Sequence, residues 1–466
     1  MNRALIAAAG PLMLLLAGCA SGPAPTSEVP VLPDAYAGAA ATASPALAAD
    51  WWKAFNEPAL DTLVQQALAA NIDLRVAAAR VDEAAATLGL ARSAQWPTVD
   101  LGGSVTRSRS STLTGNPVSP AGPELTSHRV TLNTSFEIDL WGRLRNATQA
   151  AQLQLLATTQ ARDTVRLGLV GTVVQTWLAV RSLDAQRATL ATQLKVRSDS
   201  LALVRRRVQG GIASGLDVAQ AEGAVAALTA QRIELQRQRE VLVNQLGLLA
   251  GRPGLQVAED PRPLPPLAAV PAGLPSELLQ RRPDVQQAEA TMRASFQQFE
   301  LTKKSAWPAL SLTGSLGSQS ADLLDLVKAG ARVWSVGPSV LVSIFDAGRN
   351  QARSDEARAR AEQAALAWQR AAQTAFREVA DALVNREQLA AQAVEVERQR
   401  RAALEAQRIA LRRYEAGYAG YLDVLDAQRG AQDAELAVLR NQQLQLDAQV
   451  ALMKALGGGW TAPARP

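Results

Sequence analysis

The sequence predicts a mainly helical fold with a β component: an internally duplicated chain of long α-helical hairpins, each half also carrying a pair of amphipathic strands. Three observations predict it. The first is self-similarity. "QWPTVDLGGS" (95–104) matches "AWPALSLTGS" (306–315), and "NIDL" (71–74) matches "RPDV" (282–285), both at an offset of 211. "WGRLRN" (141–146) matches "AGRNQA" (347–352), "RRVQGGIASGLDV" (206–218) matches "RRYEAGYAGYLDV" (412–424), and Gly251 pairs with Gly457, all at an offset of 206. Such a period is far too long for a solenoid and marks a two-fold duplication. The second is proline placement. None occurs from Glu124 to Arg252 or from Ser339 to Ala462, whereas eight of the 23 prolines fall between Arg252 and Pro283. Helices can run uninterrupted only where proline is absent. The third is period-2 alternation in four short segments, one apolar face against one of small and polar residues.

The elements follow in order. Shorter helical segments precede each half, near 59–94 and 276–304. Strand pairs come next. Val99, Leu101, Gly103 and Val105 alternate with small or polar residues, as do Val130, Leu132, Thr134, Phe136 and Ile138. The second half repeats this with Leu310, Leu312, Gly314 and Leu316, then Trp334, Val336, Pro338, Val340, Val342 and Ile344. The polar segments 107–127 and 318–331 are the expected outward loops. A soluble sandwich is the alternative, but the glycine-rich polar faces would make a poor core. From Arg143 to Val208 no strong breaker appears, which at 1.5 Å per residue gives roughly 100 Å of helix. Leu190, Leu194, Leu201, Val204 and Val208 keep coiled-coil spacing there. So do Leu228, Leu235, Leu242, Leu246 and Leu249 after a glycine break, and the two runs close an antiparallel hairpin. The second half repeats the plan: a helix from about 349 to 415, a break at Gly417–Gly420, and a return helix with Leu436, Leu439, Leu446, Val450 and Met453. The expected division is 1–18 signal peptide, 19–50 tether, 51–252 first repeat, 253–275 Pro-rich equatorial linker, 276–460 second repeat and 461–466 tail.

Composition narrows the class. Hydrophobic residues make up 48% but aromatics only 4%, which suits closely packed alanine-rich helices. A net charge of +5 over 466 residues gives no basic face for nucleic acid. At the N-terminus Arg3 precedes an apolar stretch, "ALIAAAGPLMLLLA", which is too short for a comfortable transmembrane helix and reads as an export signal. "LAGC" resembles a bacterial lipobox, in which Cys19 would carry covalent lipid; an ordinary signal peptide with an incidental cysteine is the alternative. Cys19 is the only cysteine, so no intramolecular disulfide can form. Ala20 is not aspartate and so lacks the usual inner-membrane retention signal, which by the lipoprotein sorting rule points to the outer membrane. Residues 20–49, rich in Ala, Pro, Ser and Thr, read as a flexible tether.

Four amphipathic strands cannot close a barrel, since the smallest outer-membrane barrels use about eight. An open sheet in lipid would leave unpaired backbone groups, each costing several kcal/mol. The chain must therefore associate. Three copies would supply twelve strands around a water-filled lumen, continued by helical hairpins. The residues that carry a family resemblance are "WWKAFNEPALDTLVQQALAAN" (51–71), "FEIDLWGRLRN" (136–146), "LPSELLQRRPDVQQAEA" (274–290), "IFDAGR" (344–349), "YLDVLDAQR" (421–429) and "ALGGGW" (455–460). They resemble the outer-membrane efflux channel lipoproteins of the TolC/OprM/NodT-like outer membrane factor family, over nearly the whole mature chain. The resemblance implies a homotrimer, an α-barrel joined to a twelve-stranded transmembrane β-barrel, and no cofactor beyond lipid on Cys19. It also implies a periplasmic adaptor and an inner-membrane pump, RND-type, as partners. The expected function is a passive exit duct for drugs and other toxic small molecules, in the bacterial outer membrane and reaching into the periplasm.

Candidate site residues cluster at the hairpin breaks. Asp423 and Asp426 sit one helical turn apart, on one face. In a trimer they would form two rings of carboxylates, where like-charge repulsion raises some pKa values. Aspartates at these motif positions line the family's closed periplasmic constriction. The alternative is a solvated face with the usual acidic preference of a helix start. Asp217 is the first-half twin of Asp423, and the resemblance gives Asp217 and Tyr414 a role in latching the tip shut. The arginine that some relatives use would fall at Ala419, leaving Arg412 and Arg413 as possible substitutes. Gly210, Gly211, Gly215, Gly417 and Gly420 are expected to permit positive φ for tight reversal and, by resemblance, to form the tips that meet the adaptor. Trp141 and Trp334 flank strand ends, where interfacial aromatics collect, with ordinary packing as the alternative for Trp141. Trp51 and Trp52 open the folded part and are read as pinning it to the helices. An enzyme finds little support. His128 is the only histidine, read as lying in a loop or at a strand start, and no nucleotide loop, histidine-containing metal cluster or Ser-His-Asp set is present. A carboxylate-only hydrolase and a coiled coil without transport are the rival readings; the strand pairs would have no purpose in the latter.

Overall fold

The computed structural model describes residues 33, 36, 48–111, 113, 123–268 and 277–460. Cys19, the tail 461–466 and part of the linker lie outside the described residues. A 3-10 turn, Trp51–Phe55, leads into α1 (Pro58–Ala70) and α2 (Ile72–Ser93), then β1 (Thr98–Arg109) and β2 (Glu124–Ile138). The long helix α3 (Arg143–Gln209) reverses into α4 (Gly215–Leu249). After the linker come a short α5 (Leu278–Arg281), α6 (Pro283–Lys304), β3 (Ala309–Ser320) and β4 (Arg332–Leu341). Helices α7 (Arg349–Glu415) and α8 (Tyr421–Ala455) complete the chain. The halves repeat in length: α3 and α7 have 67 residues each, α4 and α8 have 35 each, and α2 and α6 have 22 each.

The helices expected near 59–94 and 276–304 are each interrupted, and at equivalent places. Asn71 stops α1 in an extended conformation, and its side-chain oxygen accepts the Leu74 amide to restart the chain as α2. Arg282, its counterpart at the 211 offset, is likewise extended between α5 and α6, with its guanidinium donating to the Asp284 carboxylate. The loops are also shorter than expected. Strand β1 extends to Arg109 and β2 starts at Glu124, because Arg109 still pairs with Glu124 in the ladder. His128 therefore falls inside β2, opposite Val105. At the other end β4 stops at Leu341, which pairs with the first residue of β3, so Val342 and Ile344 have no strand to pair with.

Two compact units divide the chain. The first takes Asp82–Ala157 and Ala288–Gln369 and holds one antiparallel sheet in the order β1-β2-β3-β4. Residues directly opposite in an antiparallel ladder share a face. Leu101 faces Leu132, Leu132 faces Leu316, and Leu316 faces Trp334. Ile138, Leu310 and Val340 form a second such row. The apolar parity therefore forms one continuous face across all four strands. The opposite face carries Asp100, Asn133, Ser315 and Ser335, with the two serine hydroxyls 2.8 Å apart. Asp139 and Asp346 start the long helices, accepting amides of Leu144 and Arg145, and of Gly348 and Asn350.

The second unit takes Val31–Val81, Thr158–Gln287 and Arg370–Pro466. Leu183, Leu190, Leu228, Leu235 and Leu436 form one buried cluster in it, so α8 of the second half packs into the first hairpin. The part of the linker that is described is a strap tied down by buried arginines. Arg181, 1% exposed, bridges Glu57 and Asp260 at 2.8 and 2.6 Å and donates to the carbonyls of Arg262 and Pro263. Arg239 pairs with Asp184 and donates to the carbonyls of Val257 and Ala258. Trp51 and Trp52 are buried and packed edge to face, consistent with a pinning role.

Candidate functional site

Both hairpin breaks are Schellman turns with the same bonds. The amide of Gly211 donates to the Val208 carbonyl, and that of Ile212 to the Arg207 carbonyl. At the second break Gly417 donates to Tyr414 and Tyr418 to Arg413. This motif needs one residue in the left-handed region after the helix end, and Gly211 (φ 73°) and Gly417 (φ 82°) supply it. Of the five break glycines expected to permit positive φ, only these two use it. Gly420 is an N-cap at φ −77°, and Gly210 and Gly215 lie outside the left-handed region. Past each turn apolar side chains stand in the open: Ile212 and Leu216 at the first, Tyr418 and Leu422 at the second.

The aspartates divide by what already holds them. Asp217 completes a capping box: its carboxylate accepts the Ser214 amide at 3.0 Å, and the Ser214 hydroxyl accepts its amide. Asp423 occupies the same third helical position and accepts the Gly420 amide at 3.2 Å. Glycine has no side chain to return the bond, so this is half a box. Asp426 lies one turn further on, beyond the orphan amides. It is exposed and has no ion-pair or hydrogen-bond partner among the described residues. Helix-start chemistry therefore accounts for Asp217 and Asp423 in part, and for Asp426 not at all.

Tyr414 lies in a buried cluster that joins the two hairpins: Val204 and Ala221 from the first, Tyr414, Tyr421, Val424 and Leu425 from the second. Its ring meets Tyr421 edge to face at 5.6 Å. Among the described residues its hydroxyl has no hydrogen-bond partner, and it does not reach Asp217, whose carboxylate serves the cap. Burial pushes the phenols of both Tyr414 and Tyr421 above their ordinary pKa. The cation beside Tyr414 is Arg207, not Arg412 or Arg413, which are exposed. The Arg207 guanidinium sits over the ring at 4.5 Å from its centre and donates to the Tyr414 carbonyl. Arg207 was not singled out from sequence because its twin, Arg413, points to solvent; two adjacent basic residues at a helix end look alike in the one-letter string. Further along the α3–α8 seam runs a polar ladder of Gln428 to Ser200, Arg197 to Gln432 and Gln193 to Glu435.

Trp141 and Trp334 differ. Trp141 is packed edge to face on Trp307 and donates its indole N–H to the Pro308 carbonyl at 2.8 Å, whereas Trp334 is 75% exposed on the apolar sheet face. Among the described residues no helix is long and apolar enough to cross a membrane, and no group of His, Cys, Asp or Glu is placed to hold a metal ion.

Long paired hairpins, a four-stranded sheet with one apolar face and carboxylates at a helical tip define an outer-membrane channel protein. The family of outer membrane efflux proteins matches two segments of the chain, residues 63–252 and 274–458, and the chain belongs to that family. It is 36% identical to the solvent efflux pump outer membrane protein SrpC of Pseudomonas putida, over 87% of each chain. It is 35% identical to outer membrane protein OprJ of Pseudomonas aeruginosa, over 96% of this chain and 95% of that one. Among solved structures, the outer-membrane channel OprN superposes with a TM-score of 0.87 at 29% identity, covering 95% of this chain and 100% of that one. The protein is thus an efflux component of the outer membrane, a transporter and not an enzyme.

Proposed function

We propose that the protein is the passive exit duct of a tripartite exporter, a homotrimer that receives small toxic molecules from an inner-membrane pump through a periplasmic adaptor. The observation that carries this reading is the sheet: an apolar face four strands wide, bounded by the outer edges of β1 and β4, which have no partner among the described residues. Edges of that kind are intolerable in lipid unless another chain pairs with them. Two copies would give eight strands, a barrel that side chains fill. The inward parity here is Gly102, Thr131, Asn133 and Ser315, too small and polar to fill it, which favours three copies and a wet lumen. Twelve residues at ~3.3 Å each, tilted by about 40°, span roughly 30 Å of membrane.

Asp423 and Asp426 are the gate in this reading, with Tyr414, held in place by Arg207, as latch and Asp217 fixing the first turn through its cap. The exposed apolar residues at the two tips, beside Gly211 and Gly417, are the surface offered to the adaptor. A relative named for solvent efflux supports small apolar cargo. Cys19 is the lipid attachment site, and an RND-type pump is the energy source. The assembly is tested by the mass of the detergent-solubilised particle: three chains are expected, and a stable monomer or dimer would contradict the proposal. Radiolabelled palmitate should be incorporated by the wild type and not by Cys19→Ala.

A further inference from the structure

Where β2 and β3 give way to helices, the sheet unit holds a cleft of about 270 Å³. Its back wall is the Trp141–Trp307 pair, ring centres 4.8 Å apart, fixed by the indole bond to Pro308. One side is Ile138 and Leu310, which face each other in the ladder and form the last row of the apolar sheet face. Lys304, at the end of α6, also lines it. The other charges are already engaged. Arg143 holds Glu137 through two bonds of 3.1 and 2.6 Å, and Asp139 caps α3 and pairs with Arg145. The Lys304 ammonium contacts only the side-chain oxygen of Asn146, at 3.3 Å, and has no carboxylate partner among the described residues. Because β2 and β3 are the inner strands of the sheet, the cleft does not lie along either open edge.

Apolar rows, then an aromatic step, then an unpaired ammonium is the complement of a glycerophospholipid read from its acyl chains to its phosphate. Tryptophan pairs settle at the depth of the headgroups, and a lysine just beyond them meets the phosphate layer. We infer that this cleft is a specific phospholipid site at the helix end of the barrel. The phosphate is received by Lys304, the glycerol lies against Trp141 and Trp307, and the acyl chains run along the rows that begin at Ile138 and Leu310. The inference rests on the membrane-facing role of the sheet and is independent of the gate.

The test is native mass spectrometry of the full-length protein after reconstitution with phosphatidylethanolamine and washing in mild detergent. The wild type should retain lipid, and Lys304→Glu should lower the retained fraction by about five-fold or more. Lys304→Gln, which removes the charge without reversing it, should also lower it. Lys303→Glu makes the same charge change at a lysine already paired with Glu300 at 3.4 Å, and should leave occupancy unchanged. Excess inorganic phosphate should not displace the lipid. No retained lipid in the wild type, wild-type occupancy in both Lys304 variants, equal loss in Lys303→Glu, or release by inorganic phosphate would each overturn the assignment. Conductance of the same variants should stay at the wild-type value, so loss of this site is distinguishable from loss of the channel.

Discussion

At Asp423 and Asp426 two carboxylates one turn apart do different work. Asp423 accepts an amide of its own helix start, so Asp423→Ala should destabilise the protein by about 1 kcal/mol in addition to any effect on conduction. Asp426 holds no such bond, so Asp426→Ala should alter conduction with stability unchanged, as read by thermal unfolding beside planar-bilayer recording. The glycines separate in the same way. Gly417→Ala puts a Cβ at φ 82° and should cost about 1–2 kcal/mol, whereas Gly420→Ala, at φ −77°, should cost much less. A third carboxylate, Asp447 on α8, is half-buried, and burial raises its pKa to about 6. An acid raised in this way favours the fold when protonated. Its contribution is full below the ordinary value of 3.8 and is lost as pH rises through about 6. The wild type should therefore gain thermal stability between pH 7 and pH 5, and Asp447→Asn should remove that gain while melting higher at pH 7.

At the scale of the element, the long hairpins are held by an apolar seam along their length, a cation over a tyrosine near the turn, and arginine ties to the strap. Arg207→Ala would remove both the ring contact and the bond to the Tyr414 carbonyl, freeing the second hairpin at its tip. More frequent channel openings are expected, and an unchanged open probability would exclude a holding role. Arg181→Ala would remove the buried counter-ion of Glu57 and Asp260 and leave them only the exposed Arg262, a loss of about 3 kcal/mol or less. It should also expose residues 252–263 to limited proteolysis. The hairpins and strands could be read in the sequence because their signals are periodic: Leu190, Leu228 and Leu235 are buried where heptad spacing places them, and Leu101, Leu132 and Leu316 share a face by alternation. The strap could not, since Arg181 and Asp184 pair with residues far along the chain, and their only mark is charge within an otherwise apolar helical stretch. The tip aspartates were visible as a spacing, but their partners depended on cap geometry: Asp217 bonds Ser214, not Tyr414. The break at Asn71 was missed because one extended residue hardly perturbs the apolar pattern on either side, whereas the break at Arg282 had a mark in Pro283, which disfavours a helical residue before it.

For the whole molecule, duplication explains economy of design and its departure explains function. Matching helices of 67 and 35 residues recur in each half, with matching turns. The halves differ where Tyr414, Tyr421 and Asp426 stand in the second, against Val208, Gly215 and Gln220 at the same offset in the first, so the second tip carries both tyrosines of the cluster and the free carboxylate. Three copies would then place three Asp426 side chains, and three Asp423 side chains one turn away, around a shared axis. Single-channel conductance of the reconstituted protein tests this account most directly. The wild type should open rarely and prefer cations, and Asp423→Ala with Asp426→Ala together should raise conductance and abolish that preference. Unchanged conductance and unchanged selectivity in the double variant would contradict it.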